Sequence, residues 1–140
     1  MARGAPAGPD DPRRAAERAR NRARAERGRR AEDLAVRHLE GAGLEILGRN
    51  VRVGSVEVDV VAREGAVVAV IEVRTRGVAS WQGALASVDG RKRARLERAA
   101  TQLWARTYAR LTGVERMRFD VVCVDLAGEE PSVEHLRAAF

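Results

Sequence analysis

The sequence of 140 residues is short of several residue types, and each shortage limits what the protein can be. A single cysteine, Cys123, excludes an intramolecular disulfide, so we expect a reducing, cytoplasmic location. There is no run of about 18 apolar residues, and we therefore expect no membrane span and no membrane partner. The N-terminus lacks an apolar stretch and does not resemble a secretory signal. The length suits one domain, with or without a tail.

Lysine is as scarce as cysteine, because Lys92 is the one lysine among 26 basic residues. The net charge of +6 arises within residues 1–30, which hold 10 arginines and 4 acids, whereas residues 31–140 hold 16 basic and 16 acidic side chains. A basic arm of this kind contacts polyanions. A solvated extension explains the same composition. We predict a flexible Arg/Ala-rich tail over residues 1–25 and a folded domain over residues 26–140.

Apolar periodicity predicts a helix over residues 26–42 that ends at Gly43, and a second, longer helix over residues 88–110 with Ser87 as its cap. Period-two patterns predict strands at "LEILGRNVRV", "VEVDVVAR", "AVVAVIEVRTR" and "RFDVVCVDL", and "SVEHLRAAF" is a closing strand or an irregular segment. The first three strands form a meander, and the long helix crosses over to a fourth strand parallel to the third. The fold class is thus α/β (α+β), with helices flanking a mixed sheet.

Three acids interrupt the apolar strands, at Glu57, Asp59 and Glu72. Strand alternation predicts Glu57 and Asp59 on one face, opposite Val56, Val58 and Val60; it likewise places Glu72, Arg74 and Arg76 on one face, opposite Val73. Buried uncompensated charges cost several kcal/mol each. A divalent cation such as Mg²⁺ or Mn²⁺ would compensate them and act on a phosphodiester. The alternative is the solvent face of an edge hairpin with a Glu57–Arg74 ion pair, which spacing alone slightly favours.

A set of motifs occurs in order over about residues 28–140: "GRRAEDLAVRHLEGAGLEILGRN", "VEVDVVA", "VIEVRTR", a lysine early in the second helix, "RFDVV" and "VEHLRAAF". Together they resemble the YraN-like family of predicted endonucleases, which is related to Holliday-junction resolvases within the PD-(D/E)xK nuclease superfamily. The resemblance implies a restriction-endonuclease-like αβββαβ core. It also implies a metal-dependent endonuclease of DNA, acting on branched or junction DNA in repair or recombination.

The resemblance assigns roles to individual residues. Asp59 and Glu72 would bind Mg²⁺ (or Mn²⁺), with the backbone carbonyl of Val73 as a further ligand. Glu32 would approach the same site from the first helix. Glu57 falls on the family's motif glutamate, and its role stays open. Arg76 and Lys92 would hold the scissile phosphate.

Two positions depart from the family pattern: Val56 replaces a glycine, and Arg74 replaces the lysine of the E-x-K motif. Arginine supplies charge and hydrogen bonds, but it cannot act as a base. Either the replacement is tolerated, or Lys92 takes over the role, or catalysis is lost. In the last case the chain is a nuclease-fold module that binds nucleic acid or a repair partner.

Contacts to DNA would go mainly to phosphates and would be independent of sequence. The candidate contacts are the basic tail and the residues Arg49, Arg52, Arg76, Arg91 and Arg93. Trp81 could stack on a base, although covering the sheet edge is the favoured interpretation. Resolvase relatives are dimers, which makes a homodimer one expectation of the resemblance. His38 and His135 are predicted to be structural or exposed, and Cys123 to lie in the core.

Overall fold

The computed structural model describes residues 4, 8, 11–76 and 90–140, and of Arg76 only the backbone. Ser87 and Trp81 lie outside these residues. The elements are, in order, helix α1 (Pro12–Gly41), strands β1 (Glu45–Val53), β2 (Val56–Glu64) and β3 (Val67–Arg76), helix α2 (Gly90–Arg106), a short 3-10 turn (Tyr108–Arg110), and strands β4 (Arg116–Asp125) and β5 (Ser132–Leu136). The predicted succession of helices and strands is confirmed, with the last segment forming a true strand.

The five strands form one mixed sheet in the order β1-β2-β3-β4-β5. All neighbouring pairs are antiparallel except β3 and β4, which run parallel over their whole length from Val67–Arg116 to Arg76–Asp125. The chain segment that contains α2 joins these two strands, so the predicted crossover is confirmed. The turns between the first three strands contain Gly54 and Gly65, both with positive φ, a conformation that glycine adopts without a steric penalty.

Helices pack on both faces of the sheet. The α1 face buries Ala35 and Leu39 of the helix against Val60, Ile71 and other strand residues. The α2 face buries Leu96 and Leu103 against a second set of strand residues. Two separate apolar clusters therefore hold the helices at fixed positions relative to the strand residues between them.

Helix α1 begins at Pro12, well before the predicted start near residue 26. Asp11 caps it by accepting a hydrogen bond from the Arg13 backbone N–H at 3.0 Å, and proline at the first helical position suits the helix geometry. Alanine and arginine are strong helix formers, so this segment is helical without an apolar face. Apolar periodicity could not detect it. At the other end, Gly43 has a φ of +92° and terminates the helix as predicted.

The alternation of side chains along β2 breaks at Asp59. Val56 and Val58 pack on the α2 face, as alternation predicts, but Val60 packs on the α1 face. The prediction that all three valines share a face is therefore wrong for Val60. The ladder between β2 and β3 runs from Glu64–Val67 only as far as Val60–Ile71, so the two strands part at Asp59.

A buried polar cluster closes the C-terminal end of the chain onto the sheet. Asp120 in β4 is fully buried and accepts hydrogen bonds from Arg118 at 2.7 and 2.8 Å and from the backbone N–H of Ala138 at 3.0 Å. The His135 ring nitrogen Nε2 lies 2.7 Å from the same carboxylate. His135 is thus structural, whereas His38 is exposed, as the sequence predicted.

Cys123 is half-buried in β4 rather than a full core residue. Neither helix among the described residues combines the length and the apolar character that crossing a membrane requires.

Candidate functional site

The site forms where β2 and β3 part. The carboxylate of Asp59 enters the gap between the strands, and its Oδ2 accepts a hydrogen bond from the Val73 backbone N–H at 2.9 Å. The Asp59 side chain thus accepts the hydrogen bond that a backbone carbonyl of β2 would accept if the pairing of the two strands continued. Because the N–H and C=O of a strand residue face the same neighbouring strand, the Val73 carbonyl is directed to this gap as well.

Glu72 lies beside this gap on the α2 face, and its side chain is only 7% exposed. Lys92, from the first turns of α2, donates a hydrogen bond from Nζ to Glu72 Oε1. Arg74, two residues further along β3, places Nη2 3.5 Å from the same oxygen. Two cations from different elements therefore approach one buried carboxylate oxygen, and the lysine comes from a helix rather than from the strand motif.

The electrostatics of the site are dominated by Asp59. Burial, and after it the neighbouring carboxyl group of Glu72, raises the pKa of Asp59 from 3.8 to about 7, although the hydrogen bond from Val73 opposes the shift. A hydrogen bond with the Glu72 side chain and the charge of Glu32 raise this pKa further. The protein therefore holds at its centre a carboxyl group that resists ionisation at neutral pH until a positive charge joins it.

Glu32 and Glu57 lie on the α1 side of the sheet and are linked through Asn50. With its amide nitrogen turned towards the two acids, Asn50 donates to Glu57 at 3.0 Å and to Glu32 at 3.3 Å. Asn50 has a φ of +49°, a left-handed conformation that asparagine tolerates better than most residues. Glu57 therefore lies on the α1 side of the sheet, opposite the α2 side on which Glu72 lies.

The alternative interpretation, an edge hairpin with an ion pair between Glu57 and Arg74, is also wrong about this ion pair. Glu57 pairs with Arg52 of β1, at 3.5 Å, and not with Arg74. Moreover, β2 and β3 are interior strands, since β1 and β5 form the edges of the sheet. The buried carboxylate of Glu72 is consequently not a surface feature of an exposed hairpin.

The donor set suits a hard divalent cation. Within the described ranges, no group of three His, Cys, Asp or Glu side chains converges as a ready metal cage. Mg²⁺, however, takes one or two carboxylates and keeps several waters. Asp59 and Glu72, with the Val73 carbonyl, fit that requirement, and the raised pKa of Asp59 marks an unbalanced negative charge that a cation would neutralise.

The predicted phosphate contacts fall into separate groups. Arg49 lies 2.7 Å from Asp33 and 3.9 Å from Glu32, and so joins the α1 side of the site. Arg52 is largely exposed beside Glu57. Arg93 places its guanidinium 5.3 Å from the centre of the Phe140 ring, which engages it within the protein. The side chain of Arg76 lies outside the described residues.

A cleft of about 500 Å³ lies between the β1–β2 turn and α2. Its lining includes Glu57 and the basic residues Arg91, Lys92 and Arg95. Lys92 therefore belongs both to the cleft and to the Glu72 carboxylate. This arrangement leads a basic surface to the buried acids, which suits an anionic ligand.

Two features of the site were missed from the sequence. Asn50 lies inside the predicted first strand, and its positive φ is visible only in three dimensions. Asp120 lies within the quoted "RFDVV" segment, but a buried aspartate in a strand gives no signal of its own. Its contacts with His135 and with the Ala138 backbone N–H depend on the pairing of β5 with β4.

Comparison with known proteins agrees with the motif resemblance. A family model described as uncharacterised protein family UPF0102 matches residues 31–124. The chain is similar to a UPF0102 protein of Sorangium cellulosum, with 56% identity over 114 residues, covering 81% of this chain and 79% of the relative. A UPF0102 protein of Alkalilimnicola ehrlichii is 45% identical over 82% of this chain and 86% of its own length. One from Frankia casuarinae is 40% identical over 81% of this chain and 94% of its own length.

Proposed function

This chain belongs to the UPF0102 family, the YraN family that its motifs resemble, and we propose that it is a metal-dependent endonuclease that hydrolyses phosphodiester bonds in DNA. One observation carries the proposal: two interacting carboxyl groups, the half-buried Asp59 and the buried Glu72, lie at a break in the sheet, and Lys92 is hydrogen-bonded to Glu72. Such a combination of acids and a cation is the chemistry that phosphodiester hydrolysis requires.

Asp59, Glu72 and the Val73 carbonyl would hold Mg²⁺ or Mn²⁺. When bound, the ion polarises the phosphodiester and lowers the pKa of a water molecule. Lys92 and Arg74 would donate hydrogen bonds to the non-bridging phosphate oxygens, where negative charge grows during attack on phosphorus. Release of Lys92 from Glu72 supplies that donor, because its side chain is already 38% exposed towards the basic cleft.

The position of Lys92 is relevant to the E-x-K motif, whose lysine is replaced by Arg74 in this chain. Arg74 occupies the motif position, while the ammonium group of Lys92 contacts the motif acid from α2. An ammonium is a compact donor whose pKa shifts readily, and a planar guanidinium is not its equivalent. This contact favours the hypothesis that Lys92 has taken over the role of the motif lysine.

The substrate would be DNA bound through its phosphates. The basic cleft along α2 contains Arg91 and Arg95 next to Lys92, and Arg49 borders the other side of the acids. Contacts to phosphates carry no sequence information, so cleavage would depend on DNA structure rather than on base sequence. Branched and junction DNA are the substrates to compare first.

One observation favours a second candidate, a nucleic-acid-binding module without catalysis. Glu72 Oε1 already accepts the Lys92 ammonium and lies near Arg74. If these cations replace the divalent ion rather than make way for it, the fold keeps its DNA surface and loses its chemistry. Both candidates predict DNA binding, and only the first predicts cleavage.

Cleavage of labelled single-stranded, duplex, flapped and four-way-junction DNA in Mg²⁺ and in Mn²⁺ tests the proposal. We expect Asp59→Asn and Glu72→Gln to abolish cleavage. Lys92→Ala should reduce the rate about 10²- to 10³-fold, the usual loss of a donor that stabilises developing charge. Arg74→Lys should retain or increase activity.

Glu40→Gln serves as the matched control, because Glu40 is an exposed acid on α1 about two turns beyond Glu32. It should cleave at the wild-type rate. Wild-type protein that binds DNA but cleaves none of the four substrates in either metal, together with an active Arg74→Lys variant, would establish the binding module instead. Cleavage that survives Asp59→Asn would exclude the proposed metal site.

A further inference from the structure

Helix α1 extends beyond the domain body as an exposed basic segment, which we call the arginine arm (residues 12–30). It holds nine arginines against two glutamates, Glu17 and Glu26. Its residues are exposed except for the half-buried Gly28, and the first fully buried residue of the helix is Ala31. The match to the family model also begins only at residue 31. The arm is therefore outside the part of the chain on which the proposed function rests.

Asp11 caps the arm, and its alanines and arginines favour a helix, but the charge along the arm is unbalanced. Arginines four residues apart, such as Arg14, Arg18 and Arg22, repel one another along the helix. After Pro12 the arm has no apolar side chain larger than alanine, so it has nothing to insert into a lipid surface. A polyanion is the partner that would relieve the repulsion.

Eight of the nine arginines fall into two stripes when 100° of rotation is assigned to each residue of an ideal helix, and Arg30 lies between them. The site-side stripe consists of Arg14, Arg18, Arg22 and Arg29, and the far-side stripe of Arg13, Arg20, Arg24 and Arg27. Arg14 precedes Glu32 by about five full turns, so the first stripe continues the side of the helix on which Glu32 faces the site. The two stripes carry equal charge and lie roughly opposite each other.

We propose that the arginine arm binds the backbone of duplex DNA beside the site, through its site-side stripe. The inference rests on the proposed function, because the same DNA molecule would enter the Asp59–Glu72 site. Five turns of helix span about 27 Å, which corresponds to about 8 base pairs of duplex. The protein would thus require duplex of about this length on one side of the scissile bond. Because the arm is already helical in the structure, binding would need little ordering.

Binding without cleavage tests the arm separately from catalysis. The full chain would be titrated, in a chelator, against labelled duplexes shorter and longer than about 8 base pairs, over a range of salt concentrations. Two quadruple variants are compared: R14Q/R18Q/R22Q/R29Q for the site-side stripe, and R13Q/R20Q/R24Q/R27Q for the far-side stripe. They change the net charge equally, and helix content by circular dichroism would verify that both keep α1.

We expect the site-side variant to reduce the slope of log K against log salt by about 3 to 4, since each phosphate contact contributes about 0.9. It should also lose the gain in affinity that lengthening the duplex beyond about 8 base pairs gives the wild type. The far-side variant should change the slope by less than about 1. Equal effects of the two variants would overturn the proposal. They would indicate that DNA is attracted by the net positive charge of the arm and not bound by one side of the helix.

Three further outcomes also decide the matter. Tighter, stripe-dependent binding to single-stranded RNA or to anionic vesicles than to duplex DNA would refute duplex DNA as the partner. Stripe- and length-dependent binding by a protein that cleaves no substrate would support the arm while the nuclease proposal fails. If the wild type cleaves DNA and the site-side variant still binds duplex DNA as the wild type does, the proposal for the arm is rejected and the nuclease proposal stands.

Discussion

Asp59→Asn should make the metal-free protein more stable at neutral and alkaline pH, although it removes a charged group from the candidate site. In the wild type, burial and the neighbouring Glu72 raise the pKa of Asp59 from 3.8 to about 7. Ionising this carboxyl group in the folded protein is therefore unfavourable. Asparagine cannot ionise, but its side-chain oxygen can still accept the hydrogen bond that the Val73 N–H gives to Asp59.

The direction of the pH dependence follows from proton binding. Between pH 3.8 and about 7 the folded protein retains a proton on Asp59 that the unfolded chain releases. The free energy of unfolding therefore falls as the pH rises through this range, and it stays low above pH 7. A shift of this size corresponds to about 4 kcal/mol, and partial exposure of the side chain reduces the effect to about 2–4 kcal/mol.

Urea unfolding between pH 4 and pH 8.5, in a chelator and in excess Mg²⁺ or Mn²⁺, measures the effect. We expect the variant and the wild type to be similar near pH 4, with the variant more stable by about 2–4 kcal/mol at pH 8 in the chelator. Added metal should stabilise the wild type at pH 8, because an ion that binds only the folded state raises the free energy of unfolding. It should not stabilise the variant.

Other groups titrate over the same pH range. The quantity to examine is therefore the difference in the free energy of unfolding between the variant and the wild type at each pH. A variant that is less stable than the wild type at every pH would refute the reasoning, because it would mean that the charged carboxylate is stabilising. Equal metal-induced stabilisation of both proteins would show that Asp59 is not a ligand.

Two further predictions concern the polar groups at the C-terminal end of the chain. Asp120→Ala should destabilise the protein by about 3–5 kcal/mol, because it removes a fully buried carboxylate that accepts hydrogen bonds from Arg118 and Ala138 and contacts His135; urea unfolding measures this loss, and a loss below about 1 kcal/mol would contradict it. Hydrogen bonds from Arg137, and then from Arg118, lower the pKa of Glu64 from 4.5 to about 2, so its stabilising effect is present above pH 4.5 and is lost as the pH falls towards 2. Glu64→Gln should therefore be less stable than the wild type at pH 6 and no less stable at pH 2, as acid unfolding would show, and a gap that persists at pH 2 would contradict the assignment.

Much of the fold was predictable because its signals are local. Apolar alternation located the four main strands, and the crossover rule placed β4 parallel to β3. The same kind of signal failed for the first half of α1, where no apolar face exists to be detected. It failed again at Asp59, because alternation assumes a regular strand and β2 twists where its pairing with β3 ends.

The candidate site divides in the same way. Asp59 and Glu72 were predictable as unusual acids in apolar strands, and the motif resemblance connected them to Glu32. The position of Glu57 on the α1 side of the sheet, away from Glu72, was not predictable, since it depends on which face each residue takes at the break. The link between Glu57 and Glu32 through Asn50 depends on a positive φ that only the paired strands reveal.

By itself, the sequence determined which residues are candidates for the site: the acids within apolar strands, the lone lysine, the arginine at the position of the motif lysine, and the basic arm. Only the tertiary structure decided that the lysine meets the acid. Lys92 and Glu72 lie on different elements, and it is the packing of α2 against the sheet, through residues such as Leu96, that brings Nζ to the carboxylate. Local preferences specify elements and their polar residues, whereas the burial of two apolar faces specifies which of those residues touch.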